Sequence, residues 1–194
     1  MRFAPSVGGL AFTVASLDAA IARLRDLGFS ARRTPRGHRE SAEGYDAVTW
    51  VGAFVRGWPG AVVPFLCEYS HNPAERRPQL LTRLHDAGGG RLGVVGLRGV
   101  TVAGLAASGV HSWERLLDMA PTDGPHQWRF ATGVPRLEVT RHATSSLTLL
   151  LAVDSTDDVS HVATHAGFAT RVDGPRLQLR HPHLPNLALI LTPA

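Results

Sequence analysis

One stretch near the start of this chain recurs near its end, and that recurrence limits the fold more than any other feature. The first copy reads LAFTVASLDAAIARLRDLGFSARR, Leu10 to Arg33. Leu10 to Val14 is an apolar run that reads as a buried strand. Ser16 stands where a helix N-cap belongs, and Asp18 falls in the first turn, where the helix dipole favours negative charge. Leu17, Ala20, Ile21, Leu24 and Leu27 recur at three- and four-residue spacing, one apolar stripe on a helix. Gly28 ends the helix as a left-handed cap, and Phe29 opens the next strand. The second copy reads LLAVDSTDDVSHVATHAGFATRV, Leu150 to Val172. At a constant shift of 139 positions, the separation of Gly28 and Gly167, Val153 overlays Val14, Ser155 overlays Ser16 and Asp157 overlays Asp18. Gly167-Phe168 overlays Gly28-Phe29, and Arg171 overlays Arg32. A repeated β-α-β unit follows.

Between and after the copies, the pattern extends the unit. DAVTWVGAFV (Asp46 to Val55) and AVVPFLCEYS (Ala61 to Ser70) read as strands, with Pro64 at an edge or bulge. The first unit is therefore β-α-β-β-β and ends near Ser70. HNPAERRPQ is a linker by composition, and LLTRLHDAGGG begins with a short helical turn and stops at three glycines. Arg91 to Gly104 is a glycine-broken strand region. His111 to Ala120 is a helix with Ser112 at its cap, and HQWRFATG and PRLEVTRH are strands meeting at Gly133-Val134-Pro135. The last unit runs from SSLTLLLAVD through a helix at Thr156 to Ala166, then FATRVDG, PRLQLRH and NLALILTP, with Asp173-Gly174 as a hairpin signal. Expected boundaries are residues 1–72 for the first unit, 73–90 for the linker and 91–194 for a second region, divided into an irregular unit at 91–143 and a βαβββ unit at 144–194.

Composition excludes several classes. The sequence has 194 residues and 44% hydrophobic content, enough for one ordinary core or two small ones. No apolar run approaches the roughly 18 residues of a membrane span, so no membrane partner is expected. MRFAPSVGG lacks the apolar core of a signal peptide. Cys67 is the single cysteine and suits a reducing, cytoplasmic setting of bacterial type. All 20 basic residues are Arg, yet the formal net charge is only +4. The cluster Arg32, Arg33, Arg36 and Arg39 has no interleaved aromatics, so it reads as a solvated loop, and no nucleic-acid partner is expected. No Ser-His-Asp order, P-loop, CxxC pair or dinucleotide glycine fingerprint is present.

FTVASLDAAIARLRDLGF and the strand VVPFLCEYSHNP resemble the vicinal oxygen chelate superfamily, the glyoxalase and bleomycin-resistance fold, in its glyoxalase-like branch. The resemblance implies an α+β fold in which repeated βαβββ units form curved mixed sheets with helices on the outer face. It also implies a small organic molecule held in a sheet-lined cup. Many members hold a divalent metal there. The usual first-strand ligand falls on Gly9, which cannot ligate through a side chain. The corresponding positions are Gly96-Leu97-Arg98 in the middle unit and Ser146-Leu147 in the last, and the late-strand carboxylates are Glu68 and Glu138. Two ligands are a poor set for one ion, so no metal and no other cofactor is expected. The alternative is a metal-dependent lyase, isomerase or dioxygenase using Glu68 and Glu138 with His71 or His142.

Three units cannot all pair two by two within one chain. Either the middle and last units pair and the first pairs across a homodimer, or the linker and middle region serve as one distorted unit. The second or a mixed arrangement is the expectation. Glu68 could bind a cation, act as a base or orient a ligand hydroxyl, or could equally be an outward carboxylate paired with Arg; the alternation in VPFLCEY leaves both open. Trp50 and Trp128, each on a strand, are pocket candidates alongside Glu68 and Glu138, whereas Trp113 on a helix stripe reads as core. His181-Pro182-His183 and the i,i+4 pair His161 and His165 have metal-like spacing but read as solvent-facing histidines, since the Glu that would follow the first His of a zinc helix is Val162.

Overall fold

The two copies of the repeat adopt one local geometry in the computed structural model of the chain. Helix α1 (Leu17–Asp26) is capped by Ser16 at φ −143° and ψ 120°, whose hydroxyl accepts from the Ala19 N–H at 3.3 Å. Helix α4 (Thr156–His165) is capped by Ser155 at φ −143° and ψ 124°, whose hydroxyl accepts from the Asp158 N–H at 3.3 Å. Both helices end on a left-handed glycine, Gly28 at φ 77° and Gly167 at φ 81°. The next residue's N–H then turns back to the helix: Phe29 donates to the Leu24 carbonyl and Phe168 to that of Ala163. The structure describes residues 8–39, 48–71, 73–104, 107–118, 127–130, 134–141 and 144–194.

The chain is α+β and divides into two compact units, Gly8–Leu80 and Leu81–Ala194. In the N-terminal unit, β1 (Gly9–Thr13), β2 (Ser30–Arg33), β3 (Gly37–Arg39), β4 (Val48–Arg56) and β5 (Val63–Tyr69) form a mixed sheet. Its order is β1-β5-β4-β2, with β3 also on β4. β1 and β5 are parallel, and the other pairs are antiparallel. α1 packs on β2, β4 and β5, burying Leu17 and Leu24 in a core that includes Ala53, Val55 and Leu66. The segment after β2, which reads from sequence as a solvated loop, instead contributes β3 because Gly37 can lie under Trp50.

Helix α2 (Pro73–Asp86) occupies most of the stretch whose composition reads as linker. Pro73 opens it, where a missing N–H costs nothing, and Pro78 lies inside it. Leu80 and Leu81 are exposed, so no strong buried stripe announces this helix in the sequence.

The C-terminal unit holds a 3-10 turn (Gly90–Leu92), β6 (Val94–Ala103), α3 (Ala107–Leu117), β7 (Gln127–Phe130), β8 (Val134–Thr140), β9 (Ser146–Val153), α4, β10 (Ala169–Asp173), β11 (Arg176–Arg180) and β12 (Leu187–Pro193). Its seven strands form one sheet in the order β10-β11-β12-β9-β6-β8-β7. β9 and β12 are parallel across α4, β6 and β8 are parallel across α3, and β6 and β9 join antiparallel between the two halves. The middle and last units therefore pair within the chain through β6 and β9, whereas the expectation is one distorted unit made from the linker and middle region, or a mixed arrangement. Around α4 the core is Val153, Val159, Ala163, Leu177, Leu179 and Leu191, the valines and leucines each contributing about 1.5–3 kcal/mol on burial. Under α3 it is Val100, Val102, Val110, Trp113, Leu137 and Val139. α3 begins before the expected helix, so Ser112 is no cap; its hydroxyl donates to the Ser108 carbonyl one turn back, at 2.9 Å. Among the described residues no helix is long and apolar enough to cross a membrane.

Candidate functional site

Strand alternation decides which site residues can meet. In the N-terminal sheet Val51 lies opposite Glu68, and Trp50 lies opposite Tyr69. Glu68 therefore shares the α1 side with Ala53 and Leu66, while Trp50 lies on the other side with Phe54, Phe65 and Tyr69. The Glu68 carboxylate Oε2 accepts a hydrogen bond from the Leu17 N–H at 2.5 Å. Leu17 is the first residue of α1, so this carboxylate satisfies an otherwise orphaned N–H and sits at the positive end of the helix dipole. The partner seen here is a helix terminus. Register supplies the comparison in the other copy, where Thr192 corresponds to Cys67 and Pro193 to Glu68. The last unit thus has no carboxylate at that position.

The opposite face of that sheet is aromatic. The Trp50 indole lies over Gly37 and the Phe65 ring over Gly52, so each ring covers a position without a side chain. Phe65 meets Phe54 with ring centroids 4.6 Å apart, and Phe54 and Tyr69 are exposed. Cys67 shares this face but is buried. Burial pushes its thiol above its ordinary value, partly offset by a hydrogen bond with Tyr69. Arg33 leaves the basic cluster to pair with Asp18 in the first turn of α1.

In the C-terminal sheet the buried residues under α3 and α4 fix the helix-covered face, and the residues between them form the other. One row crosses it in register: Glu138 on β8, Thr101 on β6, Thr148 on β9, Ala188 on β12 and Arg180 on β11. Glu138, Thr101 and Thr148 are half-buried, and Arg180 is exposed. Two strand spacings, about 10 Å, separate Glu138 from Thr148. Arg136, on the same face of β8, brings its guanidinium 4.0 Å from the Glu138 carboxylate. This row can accept hydrogen bonds at the carboxylate and exchange them at two hydroxyls, with a cationic group at its far end. Glu68 and Glu138, aligned from sequence as equivalent, are on different sides relative to their helices: Glu68 faces α1 and Glu138 faces away from α3.

Trp128 pairs in register with Leu137. His71 is exposed and its Nδ1 lies 3.0 Å from the Ser70 hydroxyl. His142 lies outside the described residues. His161 and His165 are exposed on α4 with ring centroids 4.3 Å apart, and His165 Nδ1 donates to the His161 carbonyl. His181 accepts the His183 N–H in a local turn and meets Phe168 edge-on. Among the described residues no three His, Cys, Asp or Glu side chains converge. Two of the donors offered for a divalent ion have partners here: Glu68 accepts from the Leu17 N–H, and Glu138 faces Arg136. Sequence reasoning missed Thr101 and Thr148, whose signal is a polar residue on the outward positions of otherwise apolar strands.

No protein-family model and no curated protein matches the chain. A hypothetical protein from Staphylococcus aureus of known structure superposes with a TM-score of 0.59 at 10% identity, over 96% of this chain and 65% of that one. This chain thus spans less than two thirds of that protein's length, and the likeness is one of fold. A 4-hydroxymandelate synthase from Streptomyces coelicolor carrying three substitutions aligns with a TM-score of 0.46 at 16% identity, over 96% of this chain and 71% of that one.

Proposed function

We propose that this chain is a protein of the vicinal oxygen chelate fold that binds a small organic molecule on the face of its seven-stranded sheet opposite α3 and α4, without a metal ion or other cofactor. The observation that carries the reading is the row Glu138, Thr101 and Thr148, polar groups held side by side on three adjacent strands. Support for the fold comes from βαβ units joined edge to edge along β6 and β9, and from the repeat with its Gly-Phe signature. Half-burial strengthens each polar contact, because a carboxylate partly removed from water gains more from a ligand hydroxyl or amine than an exposed one. Arg136 keeps Glu138 near a compensating charge, and Leu150 and Ile190 supply apolar surface beside the row. The metal-dependent alternative would need Glu68, which is committed to the Leu17 N–H.

The test is a ligand-observed NMR screen of small hydroxylated and aminated organic molecules, followed by titration against Glu138→Gln and Thr148→Val. Hits whose affinity falls about tenfold or more in Glu138→Gln support the site. Hits that bind both variants as they bind the parent protein refute it. Elemental analysis of the purified protein tests the second half of the reading. About one divalent ion per chain, retained through dialysis, would overturn the metal-free assignment.

A further inference from the structure

Among the described residues strand β10 is the outermost strand of the C-terminal sheet and pairs with β11 on one side only. All five of its residues are exposed, and Val172, at 69% exposure, is the most exposed large apolar side chain among the described residues. An open edge carrying such a residue is a template for another strand. Neither Arg171 nor Asp173 makes an ion pair among the described residues.

The hairpin decides which backbone groups are free. Asp173 and Arg176 flank a two-residue turn through Gly174, which holds the positive φ of 57° that such turns require. The pair next to a two-residue turn is hydrogen-bonded, and the bonding alternates along the ladder. Asp173, Arg171 and Ala169 thus direct their N–H and C=O groups to β11. Thr170 and Val172 direct theirs outward, to the unpaired edge.

We propose that β10 is a homodimer edge, in which two copies of this chain join antiparallel about a two-fold axis at Val172. In that register Val172 forms a hydrogen-bonded pair with its own counterpart. Arg171 then faces Asp173 of the second copy, and Asp173 faces its Arg171. Those two flanking pairs are of the non-hydrogen-bonded kind, where side chains approach most closely. The sequence Arg-Val-Asp is therefore complementary to itself in charge, as an isologous contact requires. Shifting the axis to Arg171 would set arginine against arginine. The contact is short, so the dimer is a modest one and depends on concentration.

Sedimentation velocity across a wide range of protein concentration tests this. The expected species has twice the 20.8 kDa mass of one chain at the upper end and dissociates on dilution. Val172→Pro removes an outward N–H and no bond to β11, so it should abolish the dimer while the far-ultraviolet circular dichroism stays unchanged. If that variant fails to fold, a charge series decides independently. Arg171→Asp and Asp173→Arg should each raise the dissociation constant about tenfold or more, and the double exchange should restore it. A parent protein that stays monomeric throughout overturns the proposal. So does a dimer that ignores the charge series.

Discussion

The Trp50 indole lies across Gly37, in the space that a side chain at that position would fill. A Cβ built on Gly37 would stand 2.1 Å from a carbon of the indole ring. Gly37→Ala must therefore move the ring, and overpacking of this kind costs about 1–3 kcal/mol. Urea unfolding should show that loss, together with a shift in tryptophan emission. An unchanged unfolding midpoint would mean that the ring does not rest there.

Glu68 and Leu17 make the second decisive contact. Removing the carboxylate in Glu68→Ala leaves the Leu17 N–H without its partner and takes a negative charge from the start of α1. The expected cost is about 1 kcal/mol, with Glu68→Gln losing less because its carbonyl still accepts. Denaturant titration of both variants checks the order. Unaltered stability in Glu68→Ala combined with lost ligand binding would instead assign the carboxylate to a ligand.

Matching caps should have matching worth. Ser16→Ala and Ser155→Ala each remove a hydroxyl that accepts an N–H at 3.3 Å, and each should cost about 1 kcal/mol. Hydrogen exchange separates their effects. Loss of protection should appear first in α1 for Ser16→Ala and in α4 for Ser155→Ala, since these helices lie in different compact units.

Cys67 is 2% exposed, and burial pushes its thiol above its ordinary value of 9.0, against a smaller opposing hydrogen bond with Tyr69. The folded state therefore keeps the proton to higher pH than the unfolded state does. Its contribution to stability is complete below pH 9 and declines as pH rises through the folded value. The parent protein should lose more stability between pH 8 and pH 10 than Cys67→Ala does, as read by denaturant titration. A disulfide reagent should label the native thiol far more slowly than the unfolded one.

The repeat was the legible part of the fold. Ser16, Ser155, Gly28 and Gly167 carry their caps in the sequence itself, because capping depends on a few neighbouring residues. α2 was hidden by Pro73, Pro78 and a run of arginines, which by composition resemble a linker although the first proline suits a helix start. β3 was hidden because a three-residue strand has no period to read, and its reason for existing is a tryptophan on another strand. Ser112 reads as a cap because a serine ahead of Trp113 and Glu114 looks the same whether the helix begins there or one turn earlier.

The sequence singles out Glu138 and Trp50 as candidates but cannot say which residues they face. A strand's side chains alternate, so a one-position difference in register reverses the side on which a carboxylate emerges. That difference separates Glu68 from Glu138. Thr101 and Thr148 become visible only when β6 and β9 are seen to pair, 47 positions apart along the chain.

The join between β6 and β9 also bears on how the chain assembles. The segment from β9 to β12 carries its own hydrophobic cluster, so it can condense locally once it is complete. During synthesis from the N-terminus β6 emerges well before β9, and that side of it waits without a partner. β6 is irregular there, with shifts in register between Val94 and Gly96 and between Leu97 and Gly99. Such bulges make a strand a poor template for pairing with a neighbouring nascent chain. The same irregularity that interrupts the finished sheet guards its unfinished half against aggregation.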